Sequence, residues 1–522
     1  MSRRDYDAIV IGGGHNGLVC AAYLARAGRR TLLVEARSTV GGTASSEMFS
    51  GATVNICNCD HLTFRTTPII DELGLADHGL RYIDVEPSQV NMAWSGGPAW
   101  TSHHSVEATL DSIGRSHPEE VAGYRRYLDD TLAAVRLVVG AASEPPRPIR
   151  LIARAAAAGG RGISTLLRWS RRSAADVMRE YFRTDALQAP AMVIGPMVWG
   201  ISPEFPGTGL GALTYAFRHV GTVGRPVGGS GEVPRTLLAS FSSAGGVLMT
   251  STAVHAITCE GPGVRGVVLA DGTEVTADVV VSACNPHDTF LRWLRNPPPQ
   301  AASLLERWRN VPHADGYESK LDVVLDRAPV LAAAAAAGMS DPTASTHVVA
   351  PSLAQMHDAF GLMQQGRVMS APAFLANTPS IDDHGLAPDG RHVFSLEALF
   401  TPYALAGGWP ASAEPSRWLD LFGDLTLDGR DSFRRSILDW RAVTPDLYER
   451  DFHLPHGHAT SFAGGPLAAF RSRDPELTRY ETSVRGLFLT GAATFPGAGV
   501  WGASGRNAAL AVLAGRGRRA AA

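Results

Sequence analysis

Lysine is almost absent from the sequence. Lys320 is the only lysine among 522 residues, so the other 46 of the 47 basic side chains are arginine. These cations are offset by 50 acidic side chains, and the formal net charge is only -3, so no strong positive field attracts nucleic acid. The composition argues against nucleic-acid binding and raises the question of what Lys320 does that arginine cannot.

Cysteine and long apolar runs are also scarce. The five cysteines are an odd number and lack the spacing of a disulfide framework or a zinc knuckle, which favours a reducing compartment. No run of 18 or more apolar residues predicts a membrane span, and no apolar signal region precedes the first glycine-rich turn. We therefore expect a cytoplasmic protein.

The first forty residues follow the order strand, glycine turn, helix, strand. The β-branched run YDAIVI leads into GGGHNG, which contains the pattern G-x-G-x-x-G, and a second predicted strand, RTLLVEA, ends near Glu35. Glycines at this spacing let the backbone approach a pyrophosphate at a helix N-terminus, and the acid accepts hydrogen bonds from a ribose hydroxyl. An acid here disfavours a 2′-phosphate, so FAD or NAD fits better than NADP. The candidate contacts are Gly12, Gly14, His15, Asn16, Gly17, Glu35 and Ala36.

A second glycine pair follows the acid, in the stretch RSTVGGT at residues 37–43. Here the sequence resembles flavoproteins of the amine-oxidase and phytoene-desaturase group, which have a second glycine-rich turn against the FAD pyrophosphate and ribityl chain. The resemblance implies that role for Arg37, Gly41, Gly42 and Thr43. An ordinary loop is the alternative.

The middle of the chain resembles another cofactor segment of the same family. After the turn Gly228, Gly229 and Ser230 comes a predicted amphipathic helix, and then the predicted strands VLMTSTAVHAIT, RGVVLAD and ADVVVSA. The resemblance implies that this turn lies near the flavin and that Val254 lies against the adenine.

The end of the chain, GLFLTGAATFPGAGVWGASG, resembles the C-terminal FAD signature of phytoene desaturases and of related pyridine nucleotide-disulphide oxidoreductase-like proteins. A helix is predicted to start near Val500, where its N-terminus would stabilise negative charge on a reduced flavin. The cofactor contacts that the resemblance implies here are Gly491, Ala492, Gly497, Gly499, Val500 and Ser504. Three segments of this kind indicate FAD as the cofactor.

The length and the resemblance together imply an α/β fold with interleaved domains. A chain of 522 residues is too long for one hydrophobic core. We expect a Rossmann-type FAD-binding domain built from residues 1–75, 225–295 and 475–522, with an α+β substrate domain built from residues 76–224 and 296–474. No second G-x-G-x-x-G lies between a predicted strand and helix, which argues against a separate NAD domain.

Seven arginines and no acid lie between residues 147 and 172, with leucine, isoleucine and tryptophan between them. A basic amphipathic helix here could rest on an anionic membrane and load a lipid-soluble substrate. A solvated helical face or a contact between subunits is the alternative, and it is favoured.

Histidines cluster at positions 453, 456 and 458 in HLPHGH. Their spacing is not that of a helical zinc motif, and Pro455 lies between them, so we expect a loop touching the active-site cavity and no metal site. His61, just past the second glycine pair, could face the flavin.

Lys320 lies near the start of a predicted strand, SKLDVVL. In flavin amine oxidases a lysine of the substrate domain holds a water at flavin N5, and the related desaturases have a strand that SKLDVVL resembles imperfectly. An ammonium is a compact charge that can release its proton when desolvated, whereas a guanidinium is planar and stays charged. Lys320 is therefore the candidate catalytic residue; a surface lysine left by chance is the alternative.

These patterns predict an FAD-dependent oxidoreductase that passes a hydride from a lipophilic or small organic substrate to flavin N5. The desaturase resemblance favours C–C desaturation, and Lys320 favours C–N oxidation of an amine. Two other classes stay open: a non-redox isomerase that uses reduced flavin, and a flavin-binding protein with little catalysis.

Overall fold

The computed structural model describes residues 4–57, 59–146, 153–154, 156, 160, 162–337, 339, 344–462 and 474–520. Within these ranges, no helix combines the length and the apolar character needed to cross a membrane.

The strands in the described part of the chain are β1 (Tyr6–Ile11), β2 (Thr31–Val34), β3 (Ser46–Phe49), β4 (Ala52–Asn55), β5 (Tyr82–Asp84), β6 (Gln89–Ala93), β7 (Trp100–Ser102), β8 (Gly224–Pro226), β9 (Val247–Met249), β10 (Val254–Glu260), β11 (Gly263–Leu269), β12 (Glu274–Ser282), β13 (Leu294–Arg295), β14 (Glu318–Leu325), β15 (Thr346–Ala350), β16 (Ala373–Asn377), β17 (His392–Leu399), β18 (Ile437–Val443) and β19 (Leu487–Leu489).

The α-helices in the same ranges are α1 (His15–Arg26), α2 (Ile69–Glu72), α3 (Val106–Ser116), α4 (Val121–Ala142), α5 (Ile163–Trp169), α6 (Ala174–Tyr181), α7 (Asp185–Val193), α8 (Thr214–Val220), α9 (Glu232–Ser243), α10 (Ala302–Arg309), α11 (Ala332–Ala336), α12 (Leu353–Gln364), α13 (Glu414–Leu425), α14 (Gly429–Ser436), α15 (Pro445–Phe452), α16 (Glu476–Arg479) and α17 (Ala503–Ala520).

The first sheet has eight strands, in the order β13-β10-β11-β12-β1-β2-β9, with β19 beside β12. Strands β9, β2, β1, β12 and β19 pair in parallel, whereas β10, β11 and the start of β12 pair antiparallel. Strand β2 is buried along its whole length, as expected for a parallel strand covered on both faces.

Helices cover both faces of the first sheet. Val10 of β1 packs with Leu18 of α1 and Leu237 of α9 on one face. Its neighbour Ile9 packs with Trp308 of α10 on the other face, because successive strand residues point in opposite directions. This layering places the N-terminus of α1 at the carboxyl end of β1, where a doubly wound fold binds its ligand.

The second sheet has seven strands, in the order β18-β14-β17-β16-β15-β6-β7. Its pairs are antiparallel except for β15 with β6. Leu321 and Val323 of β14 pack into an apolar cluster with Phe394. Lys320 and Asp322 alternate with them and so point to the opposite face. One face of this sheet is therefore core, and the other is available to a site.

The two sheets draw on different parts of the chain. Every strand of the first sheet comes from residues 1–75, 225–295 or 475–522, and every strand of the second comes from residues 76–224 or 296–474. The division into a cofactor domain and a substrate domain stays a prediction, and this distribution is consistent with it.

The single strand predicted for VLMTSTAVHAIT is wrong, because the stretch forms two strands, β9 and β10. Ser251 between them has a φ of 50°, and its N–H donates to the Arg37 carbonyl. The turn allows β9 to pair with β2 while β10 turns away to pair with β11.

Candidate active site

The first glycine turn makes a tight crossing at the end of β1. Gly12 has a φ of 97°, and a Cβ at Gly17 would lie 1.9 Å from the Gly12 carbonyl oxygen. A Cβ at Gly14, by contrast, would meet no atom within 4 Å outside its chain neighbours. The turn therefore excludes side chains where it packs and leaves an open groove at the N-terminus of α1, which suits an anion.

The second glycine turn lies directly against the first. The Gly41 N–H donates to the Gly13 carbonyl at 2.8 Å, and a Cβ at Gly42 would lie 3.4 Å from the Gly14 Cα. Glu35 joins the two turns, because its carboxylate accepts from the N–H groups of Gly13 at 2.7 Å and Arg37 at 2.8 Å.

Arg37 supplies the clearest sign of an anionic ligand. Its Nη1 atom is buried and has no hydrogen-bond partner among the described residues. The guanidinium carbon lies 4.2 Å from the centre of the Phe452 ring, which supports the side chain by a cation–π contact. A buried, unpaired guanidinium nitrogen beside two glycine turns fits the pyrophosphate of a dinucleotide.

The middle predicted cofactor segment contacts the first one at Glu35. The Thr252 N–H donates to the Glu35 carbonyl at 2.9 Å, and Val254 begins β10 two residues later as a buried side chain. The predicted flavin-contacting turn at residues 228–230, just before α9, is bound to the end of β4 instead. The Ser230 N–H donates to the Asn55 Oδ1 atom at 2.8 Å.

The C-terminal segment is held by Ser504, whose hydroxyl accepts from the Gly491 N–H at 3.1 Å. Helix α17 begins at Ala503, later than predicted, because Gly499 and Gly502 have positive φ angles that delay the helix. The His15 ring hydrogen-bonds to the Gly499 backbone, and burial lowers the pKa of His15 to about 4. The structure thus brings the first and last predicted cofactor segments into contact.

A cavity of about 410 Å³ lies beside these segments. Predicted cofactor contacts form part of its lining, namely His15, Thr43, Ala492, Gly499 and Val500. The second sheet contributes mostly polar residues to the lining, including Gln89, Glu318, Thr346, Leu375, Asn377 and Glu397. The remaining wall is largely apolar and includes Ile194, Val198, Leu210, Leu213, Phe217 and Trp501.

Two acids on the sheet form a carboxyl pair in this lining. Glu318 of β14 is opposite Leu399, and Glu397 of β17 is opposite Lys320, so the two acids are diagonal neighbours on one face. Their carboxyl groups hydrogen-bond to each other, and the Cys57 thiol donates to Glu318 Oε1 at 3.5 Å. Sequence analysis missed this cluster; its only signal is the presence of an acid, Glu318 or Glu397, in each of two largely buried strands.

The surroundings of the carboxyl pair favour its protonation. Burial, then the charge of Glu318, raises the pKa of Glu397 well above its ordinary value, and burial also raises the pKa of Glu318. A hydrogen bond between two carboxyl groups requires a proton on one of them. The Cys57 thiol also donates to Glu318, which favours Glu318 as the ionised acceptor and Glu397 as the donor within the pair.

Cys57, Glu318 and Glu397 also have the donor types that a metal ion binds, with their ligand atoms within 4.8 Å of one another. Burial and the two carboxyl groups raise the pKa of Cys57 well above its ordinary value, so the sulfur keeps its proton. Hydrogen bonds account for the spacing, and we interpret the cluster as a proton-sharing group.

Arg218 brings a positive charge to the same lining. Its guanidinium donates to the Ser88 carbonyl at 3.3 Å and to the Gln89 side chain, and burial lowers its pKa. Asp60, which also lines the cavity, is paired with Arg225 at 2.6 Å instead. The cavity therefore contains a cation whose bonds are to neutral acceptors.

Lys320 lies beside the carboxyl pair, directly opposite Glu397 in the sheet, and is not among the residues that line the cavity. Its ammonium donates to the Asn55 carbonyl at 2.7 Å and is ion-paired with Asp322, and its side chain is 1% exposed. Asp322 is also paired with Arg441 at 2.9 Å. The predicted strand around Lys320 is confirmed as β14, whereas its action at the flavin stays a prediction.

The histidine-rich loop reaches the cavity through Leu454, Gly457 and Ala459. Burial lowers the pKa of His458 to about 4, so this ring is neutral near pH 7. His61 is not in the lining; its ring hydrogen-bonds to the hydroxyls of Tyr82 and Ser230, each at 3.1 Å.

The arginine-rich stretch is partly neutralised by acids from its flanks. Three of its arginines lie outside the described residues, namely Arg147, Arg150 and Arg161. Three others form ion pairs, namely Arg154 with Glu144, Arg168 with Asp130 and Arg172 with Glu180. These three ion pairs are consistent with the solvated face, and contact with a membrane stays a prediction.

Known proteins resemble the chain along most of its length. The flavin containing amine oxidoreductase family matches residues 17–314. Pyridine nucleotide-disulfide oxidoreductase domain-containing protein 2 of Mus musculus is 30% identical, over 98% of this chain and 93% of its own. Phytoene desaturase (lycopene-forming) of Paracoccus sp. is 24% identical, over 97% of this chain and 96% of its own.

A solved structure shows the same fold. Cyclohexylamine oxidase from Brevibacterium oxydans IH-35A matches with a TM-score of 0.60 at 16% identity, over 98% of this chain and 100% of its own. The α/β fold class, the family resemblance and the FAD cofactor predicted from the sequence are confirmed. The chain belongs to the flavin containing amine oxidoreductase family and is a flavin-dependent oxidoreductase with FAD as its cofactor and a small molecule as its substrate.

Proposed function

We propose that the protein is an FAD-dependent dehydrogenase that desaturates a C–C bond in a lipophilic substrate. The observation that carries this proposal is the cavity, whose largely apolar wall meets predicted cofactor contacts such as Thr43, Ala492 and Val500. Apolar lining with a few polar groups is typical of sites that bind and orient a small apolar ligand. The similarity to a phytoene desaturase also supports this reaction.

FAD would be held by residues that fit its anionic and polar groups. The open groove at Gly14, the close approach of Gly42 and the unpaired Nη1 atom of Arg37 suit its pyrophosphate. When bound, the cofactor accepts the hydride. The apolar wall formed by residues such as Leu213 and Phe217 would exclude water and hold the carbon chain.

C–N oxidation of an amine is the second candidate. The ionised Glu318 in the lining could attract a cationic amine, and Lys320 is proposed to act on the flavin as in amine oxidases. The class of substrate that binds distinguishes the two candidate reactions. An apolar alkene is bound only by contacts with the apolar wall, whereas an amine is also attracted by the carboxylate.

The test is the anaerobic absorbance of the FAD-loaded protein challenged separately with a pool of lipophilic alkenes and a pool of amines. Bleaching by the alkene pool supports desaturation, and bleaching by the amine pool supports C–N oxidation. If neither pool bleaches the flavin, the dehydrogenase proposal is wrong. Product analysis after chemical reduction of the flavin then separates a non-redox isomerase from a flavin-binding protein with little catalysis.

A further inference from the structure

We propose that Glu318 and Glu397 hold one proton between them and that the Glu318 carboxylate takes a proton from the substrate as the substrate loses its hydride. The inference rests on the proposed dehydrogenase function and assigns the base of that reaction to two residues of the cavity. Removal of a hydride alone would leave a cation, so the reaction needs a proton acceptor near the hydride acceptor.

The position of the pair meets this need. Both acids border the cavity that also touches the predicted cofactor contacts His15, Thr43 and Ala492. Strands β14 and β17 are hydrogen-bonded side by side in the sheet, which fixes the backbone of both acids. The two carboxyl groups therefore have little freedom to separate. Such a pair is pre-organised to gain and lose one proton.

The neighbouring titratable groups leave Glu318 as the acceptor. The Tyr317 hydroxyl donates to the Val198 carbonyl at 2.8 Å, and the Tyr448 hydroxyl donates to the Ile56 carbonyl at 3.3 Å. Burial raises the pKa of both tyrosines well above the ordinary value, and the Cys57 thiol also stays protonated. None of these three groups takes up a proton near pH 7.

Lys320 explains why one of the two acids stays ionised. Burial raises the pKa of both carboxyl groups, and the positive charge of Lys320 opposes this effect on each of them. Asp322 is the nearest counterion of Lys320, and it is shared with Arg441. Lys320 thus acts through the pair as a positioning residue, because its charge keeps the pair at one proton rather than two.

The proposed step balances in atoms and electrons. One C–H bond of the substrate breaks with its electron pair passing, as hydride, to FAD. The C–H bond on the adjacent carbon gives its proton to Glu318, and its electron pair becomes the new π bond. Bound FAD would be the acceptor of the two electrons, the carboxyl pair goes from one proton to two, and the extra proton later leaves to water. For an amine, an N–H bond replaces the second C–H bond.

The first test needs no substrate. The infrared spectrum of the FAD-loaded protein at neutral pH should show the C=O stretch of a protonated carboxyl group that shifts in D₂O. Glu397→Gln should remove this band. If the wild-type band is absent, or if it persists in Glu397→Gln, the shared proton is disproved whatever substrate the enzyme uses.

The second test uses the pool that bleaches the wild-type flavin. Glu318→Gln should slow anaerobic flavin reduction by roughly 10²–10⁴-fold, the usual contribution of a general base. Glu397→Gln replaces the carboxylic acid beside Glu318 with an amide, which is a weaker hydrogen-bond donor, so the pKa of Glu318 should rise and the pH profile of the rate should move to higher pH. The FAD content and thermal unfolding of each variant show whether it is folded.

The two proposals fail in different ways. A wild-type flavin that no compound bleaches disproves the dehydrogenase and, with it, the base role that rests on it. If a folded Glu318→Gln variant bleaches its flavin as fast as the wild type does, only the role of Glu318 as the base is disproved. A slowed Glu318→Gln variant with an unchanged pH profile in Glu397→Gln contradicts the shared proton.

Discussion

The Lys320 ammonium donates a 2.7 Å hydrogen bond to the backbone carbonyl of Asn55. This bond crosses from β14 of the second sheet to the end of β4, and the Asn55 side chain in turn accepts from the Ser230 N–H. The ammonium is buried and also pairs with Asp322. A compact ammonium satisfies these partners, whereas a planar guanidinium would need a wider space, which explains why this position keeps lysine.

Lys320→Met is expected to lower both stability and the rate of flavin reduction. Removing one partner of a buried ion pair usually costs about 3–5 kcal/mol of unfolding free energy, and the bond between Asp322 and Arg441 should keep the loss near the lower figure. Denaturant unfolding measures the first effect and anaerobic bleaching the second. Lys320→Arg keeps the positive charge, so it should slow bleaching less than Lys320→Met does, although its wider guanidinium should lower the stability. An unchanged bleaching rate in folded Lys320→Met would show that the lysine has no role in the reaction.

The two glycines of the first turn should respond differently to alanine. A Cβ at Gly17 would lie 1.9 Å from the Gly12 carbonyl oxygen, so Gly17→Ala should destabilise the protein even without FAD. A Cβ at Gly14 would point into open space, so Gly14→Ala should leave the apoprotein stable and weaken FAD binding instead. Thermal unfolding of the apoprotein and FAD titration measure the two effects. If Gly14→Ala binds FAD like the wild type, the groove at Gly14 does not hold the cofactor.

The sequence predicts the cofactor side of the molecule better than the substrate side. The spacing of Gly12, Gly14 and Gly17 is local, and a glycine turn after a strand has few structural outcomes. Glu318 and Glu397 are far apart in the sequence, and only the register of β14 with β17 makes them neighbours. Register is a long-range property that the apolar pattern of one strand does not determine.

The difference between local and long-range determinants also explains two wrong predictions, the single strand over residues 247–258 and the start of α17. The positive φ of Ser251 divides a stretch that reads as one strand, because pairing of β9 with β2 is decided elsewhere in the sheet. Helix α17 starts after Gly502 rather than near Val500 because Gly502 has a φ of 69° and packs closely against Phe64 and Ile69. In both places, tertiary contacts outweigh local propensity.

Arg218→Leu should change which ligands the cavity prefers. In the described structure, the Arg218 guanidinium donates hydrogen bonds only to neutral acceptors. It is therefore free to bind a carboxylate or a carbonyl group of a ligand. A charge-assisted hydrogen bond contributes about 1.5–3 kcal/mol, so binding of ligands with such a group should weaken roughly 10–100-fold. Binding of pure hydrocarbons should be unaffected. Ligand titrations measure both, with the exposed Arg265→Leu as the control. Equal losses for both ligand classes would contradict a polar role for Arg218.

Acid should destabilise the protein through buried neutral histidines, and His347 offers the clearest test. Burial lowers its pKa to about 4, and its Nε2 atom has no hydrogen-bond partner among the described residues. Because the unfolded chain takes up a proton near pH 6.5 and the folded chain does so only near pH 4, the stability from this residue is present above pH 6.5 and is lost as the pH falls. Between pH 7 and pH 5, wild type should lose about 2 kcal/mol more unfolding free energy than His347→Leu.

Denaturant unfolding at the two pH values measures this difference, and damage to packing by the substitution largely cancels because each protein is compared with itself. The exposed His255→Leu serves as the control for replacing a histidine with leucine. If His347→Leu also loses as much as the wild type, His347 is not held neutral in the folded protein. A smaller loss in His347→Leu shows that the second sheet disfavours charge at this position, because a protonated ring there would lie in its buried interior near Arg225.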